Sequence, residues 1–198
     1  MPFILETIVT TLSPEGELHL VPFGLIRDGE DHVLAPFRPS PTILNLEASP
    51  YFVASAPTDV RVIAGVVTGR RDWPVVDCEM VRGKRLAACF GHAEFEVIDT
   101  DDHAQRPRYR GRMVHAASHS PFLGYNRAQA AVLEAAILST RLKMLEPEKI
   151  LTEMAYHAIA IAKTAGPAER EAWDWIEDKV ADALGRTERV LERSGAGL

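Results

Sequence analysis

Apolar and polar positions alternate through most of the first 120 residues and recur every three to four residues after Ser120, so the chain reads as strands followed by helices. From Phe3 to Leu12 a β-branched run predicts a strand, closed by Ser13-Pro14-Glu15-Gly16, a turn with Pro and Gly at favoured positions. Leu18 to Ile26 predicts the returning strand of a hairpin, and Arg27-Asp28-Gly29-Glu30 turns the chain into a third strand from His32 to Phe37. Three such runs make a meander. Prolines 39, 41 and 50 then bracket a segment too short and too Asn-rich for a strong strand, which is expected to be a loop feeding a short helix. Tyr51 to Ser55 predicts another strand. The stretch from Asp59 to Val67 fits either a short helix capped by Asp59 or a further strand. Leu86–Val97 and Arg108–His115 read as two longer strands joined by the polar stretch Asp99–Pro107.

The helical period begins with Ala128, Ala131, Val132, Ala135, Leu138 and Leu142, with Asn126 placed to cap the helix. Pro147 opens a second helix that stops at Gly166, and Pro167 opens a third, after which the tail from Gly185 onward is expected to fray. Trp173 and Trp175 lie two apart on this last helix, so one belongs to the core and the other to the surface or a subunit contact. Strands first and helices after, without βαβ alternation, predict an α+β protein whose antiparallel sheet closes into a barrel or packs against helices. No GxGxxG follows a strand and no GxxxxGK[ST] occurs, which leaves out the usual Rossmann and P-loop phosphate cradles. The expected division is a barrel domain over residues 1–119 and a helical region over 120–198 that packs on it.

Composition narrows the function more than the fold. The chain carries 22 Lys and Arg against 28 Asp and Glu, a formal charge of −6, and so offers no overall positive field for nucleic acid. Two cysteines point to a reducing compartment. The first residues lack a basic stretch followed by an apolar one, and no run approaches a membrane span, so the expected location is the cytoplasm, with no membrane partner.

Four polar residues, Arg38, Ser40, Thr42 and Asn45, sit where the short helix begins. Hydroxyls beside free backbone N–H groups at a helix start suit an anion, although Ser40 or Thr42 capping the helix and Asn45 serving local backbone explain the same residues. Pro22, Phe23 and Gly24 interrupt an otherwise regular strand, as a bulge would or as a surface for a flat ligand would. Arg127 opposes the dipole at the start of its helix, which an anionic ligand or a salt bridge to Glu134 would offset. Cys89-x-x-His92 and His115-x-x-x-His119 have spacings seen in zinc sites, but neither a CxxC pair nor an HExxH occurs, and no metal is expected. No GxSxG elbow supplies a nucleophile.

The segments Glu6–Leu25, Ser40–Ser55, Pro121–Leu142 and Ala162–Trp173 together resemble a family of flavin-reductase-like, FMN-binding split-barrel proteins from methanogens and one-carbon-metabolising bacteria. The resemblance implies a six-stranded antiparallel split β-barrel with a C-terminal helical segment, a homodimer, and FMN in a groove between subunits. Ser40, Thr42 and Asn45, with Arg38 beside them, would hold the phosphate, and Pro22, Phe23 and Gly24 would border the ring. Thr10 and Thr11 would lie near the ring, and Arg127 would reach the phosphate or the partner subunit. Many such proteins have Asn where this chain has Ser55, which weakens that flavin contact. The implied activity is an FMN-dependent oxidoreductase, with NAD(P)H as a possible reductant and a pterin-like or other one-carbon-pathway small molecule as substrate. A flavin carrier or sensor without turnover is the alternative reading, and a split barrel without flavin a third.

Overall fold

The longest hairpin sets the frame. β1 (Phe3–Leu12) and β2 (Leu18–Asp28) pair from Phe3 opposite Arg27 to Leu12 opposite Leu18 in one unbroken register. Their turn is the expected one: Gly16 N–H donates to Ser13 O at 2.9 Å, and Gly16 takes the left-handed φ of 88° that favours glycine. β3 (Asp31–Leu34) completes the meander. Helix α1 (Pro41–Ala48) and strand β4 (Tyr51–Pro57) follow, and β7 (Cys89–Asp101) and β8 (Arg108–Ser118) supply the two remaining long strands. The six close as β1-β2-β3-β8-β7-β4, every neighbouring pair antiparallel. A closed antiparallel barrel, expected from the sequence, is therefore what the computed structural model contains; it describes residues 2–185, and the tail beyond Gly185 lies outside them.

Period-two alternation fills the barrel. Val9, Leu25, Leu34, Phe52, Ala54, Phe95 and Tyr109 form its core with Ile43 and Leu46 of α1, so the short helix is anchored by its apolar face. Phe52 and Phe95 stack with centroids 4.7 Å apart.

Two expectations need correction. Leu86 does not begin the long strand: it ends β6 (Lys84–Leu86), which pairs with β5 (Val75–Asp77) as a separate hairpin, and β7 starts only at Cys89. Apolar alternation runs across the junction without registering a change of partner, whereas the structure breaks there because Ala87 N–H turns to Pro74 O at 2.9 Å. The second correction concerns Pro22 and Gly24, which cause no bulge, as the continuous register of β1 with β2 shows.

The chain divides into two compact units. The first holds residues 1–58 and 72–122 and contains the barrel, α1 and the β5–β6 hairpin. The second holds, among the described residues, 59–71 and 123–185, with α2 (Arg61–Val67), α3 (Arg127–Ser139), α4 (Pro147–Thr164) and α5 (Pro167–Leu184). The ambiguous stretch after Asp59 is thus helical, and Asp59 Oδ1 accepts from Arg61 N–H at 2.9 Å. Asn126 caps α3, accepting from Ala128 N–H at 2.7 Å. Within this unit α3 packs against α4 and α5, α5 also meets α2, and Trp173 is fully buried. Trp175 lies under the Arg70 guanidinium, 4.3 Å from its ring centroid. Among the described residues no helix is long and apolar enough to cross a membrane.

Gly111 on β8 has no room for a side chain: a Cβ there would lie 2.7 Å from two atoms of the Phe52 ring, itself fixed against Phe95. Gly111→Ala is expected to cost about 1–3 kcal/mol of overpacking, read as a lower urea midpoint at unchanged slope.

Candidate functional site

The residues that lead into α1 come together as the spacing predicts. Ser40 caps the helix in an extended conformation, its Oγ accepting from Thr42 N–H at 3.2 Å, and Pro41 occupies the first helical position. Thr42 is wholly buried, and its hydroxyl has no hydrogen-bond partner. Asn45, also buried, donates from Nδ2 to Thr11 Oγ1 at 2.9 Å and so ties the helix to β1. Of the structural explanation, the cap by Ser40 is present, whereas Asn45 bonds a distant side chain and not local backbone, and the Thr42 hydroxyl does neither.

Two guanidinium groups flank this helix entry. Arg38 N–H donates to Gln105 O at 2.9 Å and its side chain pairs with Asp102. Arg106 Nε–H donates to Ala35 O at 2.8 Å, with its guanidinium 4.6 Å from the Phe37 ring centroid. Arg106 sits in the polar stretch between the last two barrel strands, where nothing in the sequence marks it as a neighbour of Arg38. Arg38 is already neutralised by Asp102, and Arg106 lies on Ala35 and Phe37, so what the helix start itself offers an oxyanion is its dipole and the unpartnered Thr42 hydroxyl.

The other candidates are spread over the barrel. Phe23 faces the core cluster, and Pro22 and Gly24, its neighbours along β2, therefore face away from it. Phe23 O accepts from Thr7 Oγ1 at 3.1 Å. At Gly24 a Cβ would meet Ile4 Cγ2 at 2.8 Å, so glycine is required by the hairpin's own packing. Thr10 and Ser55 spend their hydroxyls on the β5–β6 hairpin: Thr10 Oγ1 donates to Lys84 O, and Ser55 Oγ accepts from Leu86 N–H at 3.2 Å. Arg127 is the first residue of α3, in the second unit.

A cavity of about 1080 Å³ opens in the first unit, with all six barrel strands contributing to its wall. Phe3, Leu5, Thr7, Ala93, Arg112 and Ala117 are among the residues facing it, and none of the eleven sequence-derived candidates does. Phe3, Leu5 and Met113 are also substantially solvent-exposed.

A polar cluster on the side of β7 turned away from the core brings together His92, His115 and His119, whose zinc-like spacings the sequence reading set aside, with Glu79 and Glu94, which it did not consider. His92 and Glu94, two apart on the strand, share that side, and Glu94 stands opposite His115 of β8. The Glu94 carboxylate collects three backbone N–H groups from the chain before β6: Glu79 N to Oε1 at 2.9 Å, and Met80 N and Val81 N to Oε2 at 2.8 Å each. Burial raises its pKa, but these bonds and that from His92 outweigh it and hold the carboxyl down at about 2. His92 Nε2 lies 3.1 Å from Glu94 Oε1 and 3.2 Å from Glu79 Oε2, while its Nδ1 lies 2.9 Å from His119 Nε2. The signal was the His92-x-Glu94 spacing within a strand; its meaning depended on the register with β8.

Beside this cluster, burial and the charges of Glu94 and Glu79 push the Cys78 thiol up to about 12, and burial raises Cys89 as well. Both cysteines are thus kept as thiols. Iodoacetamide at about pH 8 is expected to leave them largely unmodified in the native chain and to alkylate both in denaturant, as mass spectrometry would show.

Residues 5–120 match the family model described as "Protein of unknown function (DUF447) N-terminal domain", and residues 126–178 match the one described as "Protein of unknown function (DUF447)". No curated protein sequence matches the chain. Among solved structures, an FMN-bound protein of Methanosarcina mazei with the same family model is 21% identical, the match covering 89% of this chain and 94% of that one at a TM-score of 0.76. A flavoredoxin of Methanosarcina acetivorans is 14% identical over 61% of this chain and 72% of its own, with a TM-score of 0.51. Another, from Desulfovibrio vulgaris, is 13% identical over 60% and 71%, with a TM-score of 0.50. These likenesses are likenesses of fold, and they bear out the expected split barrel. The two family models between them span most of the sequence, and the chain belongs to the DUF447 family.

Proposed function

We propose that this chain binds FMN and acts as an FMN-dependent oxidoreductase. The observation that carries the reading is the Thr42 hydroxyl, wholly buried and unpartnered at the N-terminus of α1 beside the Ser40 cap. A hydroxyl left so costs about 1–3 kcal/mol unless a ligand or water completes it, and a phosphate oxygen is a natural acceptor. The α1 dipole points the same way, and Arg106, bonded to Ala35 O and lying over the Phe37 ring, adds a positive charge to the segment that leads into the helix. The residues present therefore fit the phosphate of a flavin nucleotide, the group carried by the Methanosarcina mazei family member.

Bound FMN supplies the hydride chemistry, and the protein supplies position and electrostatics. Ser40 and Thr42 would hold the phosphate, with Asn45 fixing α1 against β1. The cavity walled by all six strands is large enough for a small-molecule site, and the pterin-like or other one-carbon-pathway substrate rests on the family resemblance. Exposed Phe3, Leu5 and Met113 support a homodimer in which a second subunit covers that apolar surface.

Titration with FMN, followed by quenching of flavin fluorescence, tests the binding reading. Ser40→Ala combined with Thr42→Val is expected to weaken binding by roughly 1.5–3 kcal/mol for each charge-assisted bond lost. Unchanged affinity in that double variant would move the phosphate elsewhere. Anaerobic bleaching of the bound flavin's visible band by NADH or NADPH separates an oxidoreductase from a carrier that only stores FMN.

A further inference from the structure

The His92–Glu94 cluster has the makings of a cation site that the flavin reading does not use. Besides the contacts of His92, His115 Nε2 lies 3.2 Å from Glu79 Oε2. One ligand atom from each of Glu79, His92, Glu94 and His115 falls within 4.8 Å of all the others. Ligands held about 2.0–2.2 Å from a tetrahedral Zn²⁺ stand roughly 3.3–3.6 Å from one another; three of the six separations here, at 3.1–3.2 Å, are close to the edges of such a tetrahedron, and the other three stay within 4.8 Å.

Without a cation these groups serve one another poorly. The contact between His115 and Glu79 lacks hydrogen-bond geometry, and His115 Nε2 is a buried nitrogen with no partner. Two carboxylates face the single Nε2 of His92, whose side chain is fully buried, as is that of Glu94. Among the described residues neither carboxylate is ion-paired with a lysine or arginine. Two anionic and two neutral nitrogen ligands make the donor set that a divalent first-row ion takes. The neighbouring histidine completes the arrangement: when His92 donates Nδ1–H to His119 Nε2, its Nε2 lone pair is left free and aimed at the centre of the cluster, which is how a ligating imidazole is usually oriented.

We propose that Glu79, His92, Glu94 and His115 form a zinc-class divalent-cation site, with His119 as the residue that orients His92. Glu94 keeps its two Oε2 amide bonds and coordinates through Oε1. Glu79, the most exposed of the four, is the ligand that a water molecule can replace. The site stands independently of FMN binding.

The test is direct metal binding by the full-length chain after chelator treatment, using Zn²⁺ for affinity and stoichiometry and Co²⁺ for its visible spectrum. One Zn²⁺ per chain and a tetrahedral Co²⁺ spectrum are expected, with saturating Zn²⁺ raising Tm. His119→Ala is expected to weaken Zn²⁺ binding about 10–100-fold, and His115→Gln by more, because it removes a ligand instead of its support. His157→Gln, a substitution on α4 and outside the cluster, is expected to change nothing. His115 is half-buried and Glu79 exposed, so Glu79→Gln/His115→Gln leaves the two fully buried members in place and provides a folded variant, checked by circular dichroism, that should lose both the Zn²⁺ and the rise in Tm. Substoichiometric Zn²⁺ in the wild-type chain, or equal affinity in that double variant, would overturn the proposal.

Discussion

A single buried carboxylate ties the connection between β5 and β6 to the barrel. Glu94 is buried on the side of β7 away from the core and remains ionised because three consecutive amides, those of Glu79, Met80 and Val81, converge on it. A charge in such a place would be costly if unpaired, and the amides would be costly if unmet, so each condition enforces the other. The segment that folds back to satisfy Glu94 is the one that carries β5 and β6 across β4 and β1, where Ser55 and Thr10 secure it. Polar satisfaction and the burial of Val81 and Leu86 set the conformation there together, since the β5–β6 pairing itself is only three residues long.

How much of this was legible follows from the range of the interactions. Periods of two and of three to four residues are local, and they announced the meander, the barrel strands and the three long helices. Asn126 as a cap and Pro147 and Pro167 as helix starts were readable because capping is local too. The β5–β6 hairpin was not, because each of its strands is three residues long and its anchors, Thr10 and Ser55, lie 74 and 31 residues away from the groups they bind. The same holds at the sites. Ser40, Thr42 and Asn45 are neighbours in sequence and neighbours in space. His92 and His115 meet only through the register of β7 with β8, and Glu79 joins them from a loop held by Glu94, neither of which can be counted off along the chain.

The phosphate reading gains from where α1 is rooted. Ile43 and Leu46 belong to the barrel core, and Asn45 is bonded to β1, so the helix that presents Ser40 and Thr42 is held on two counts besides its own hydrogen bonds. An anion arriving there meets donors whose ordering has already been accomplished by folding, and little conformational entropy remains to be lost on binding. The eleven residues read from the sequence do not form one surface, however. The strand residues Pro22, Phe23 and Gly24 alternate in direction, and the large cavity is walled by a different set of side chains.

Closure of the barrel has a consequence for how this chain behaves at high concentration. Each of the six barrel strands has a partner on both sides, but the second ladder is short on three of them: β1 meets β4 only over Ile8–Thr10, β2 meets β3 over Ile26–Asp28, and β8 meets β3 over Tyr109–Gly111, so the rest of their length is laddered on one side. The β5–β6 ladder retains open edges, but it is three residues long, and Lys84 and Asp77 place opposite charges across it at 2.6 Å. A short, charged ribbon is a poor template for intermolecular strand addition. Closure thus removes free edges only where both ladders run, and charge guards the short ribbon while the one-sided lengths of β1, β2 and β8 keep backbone groups open to a further strand.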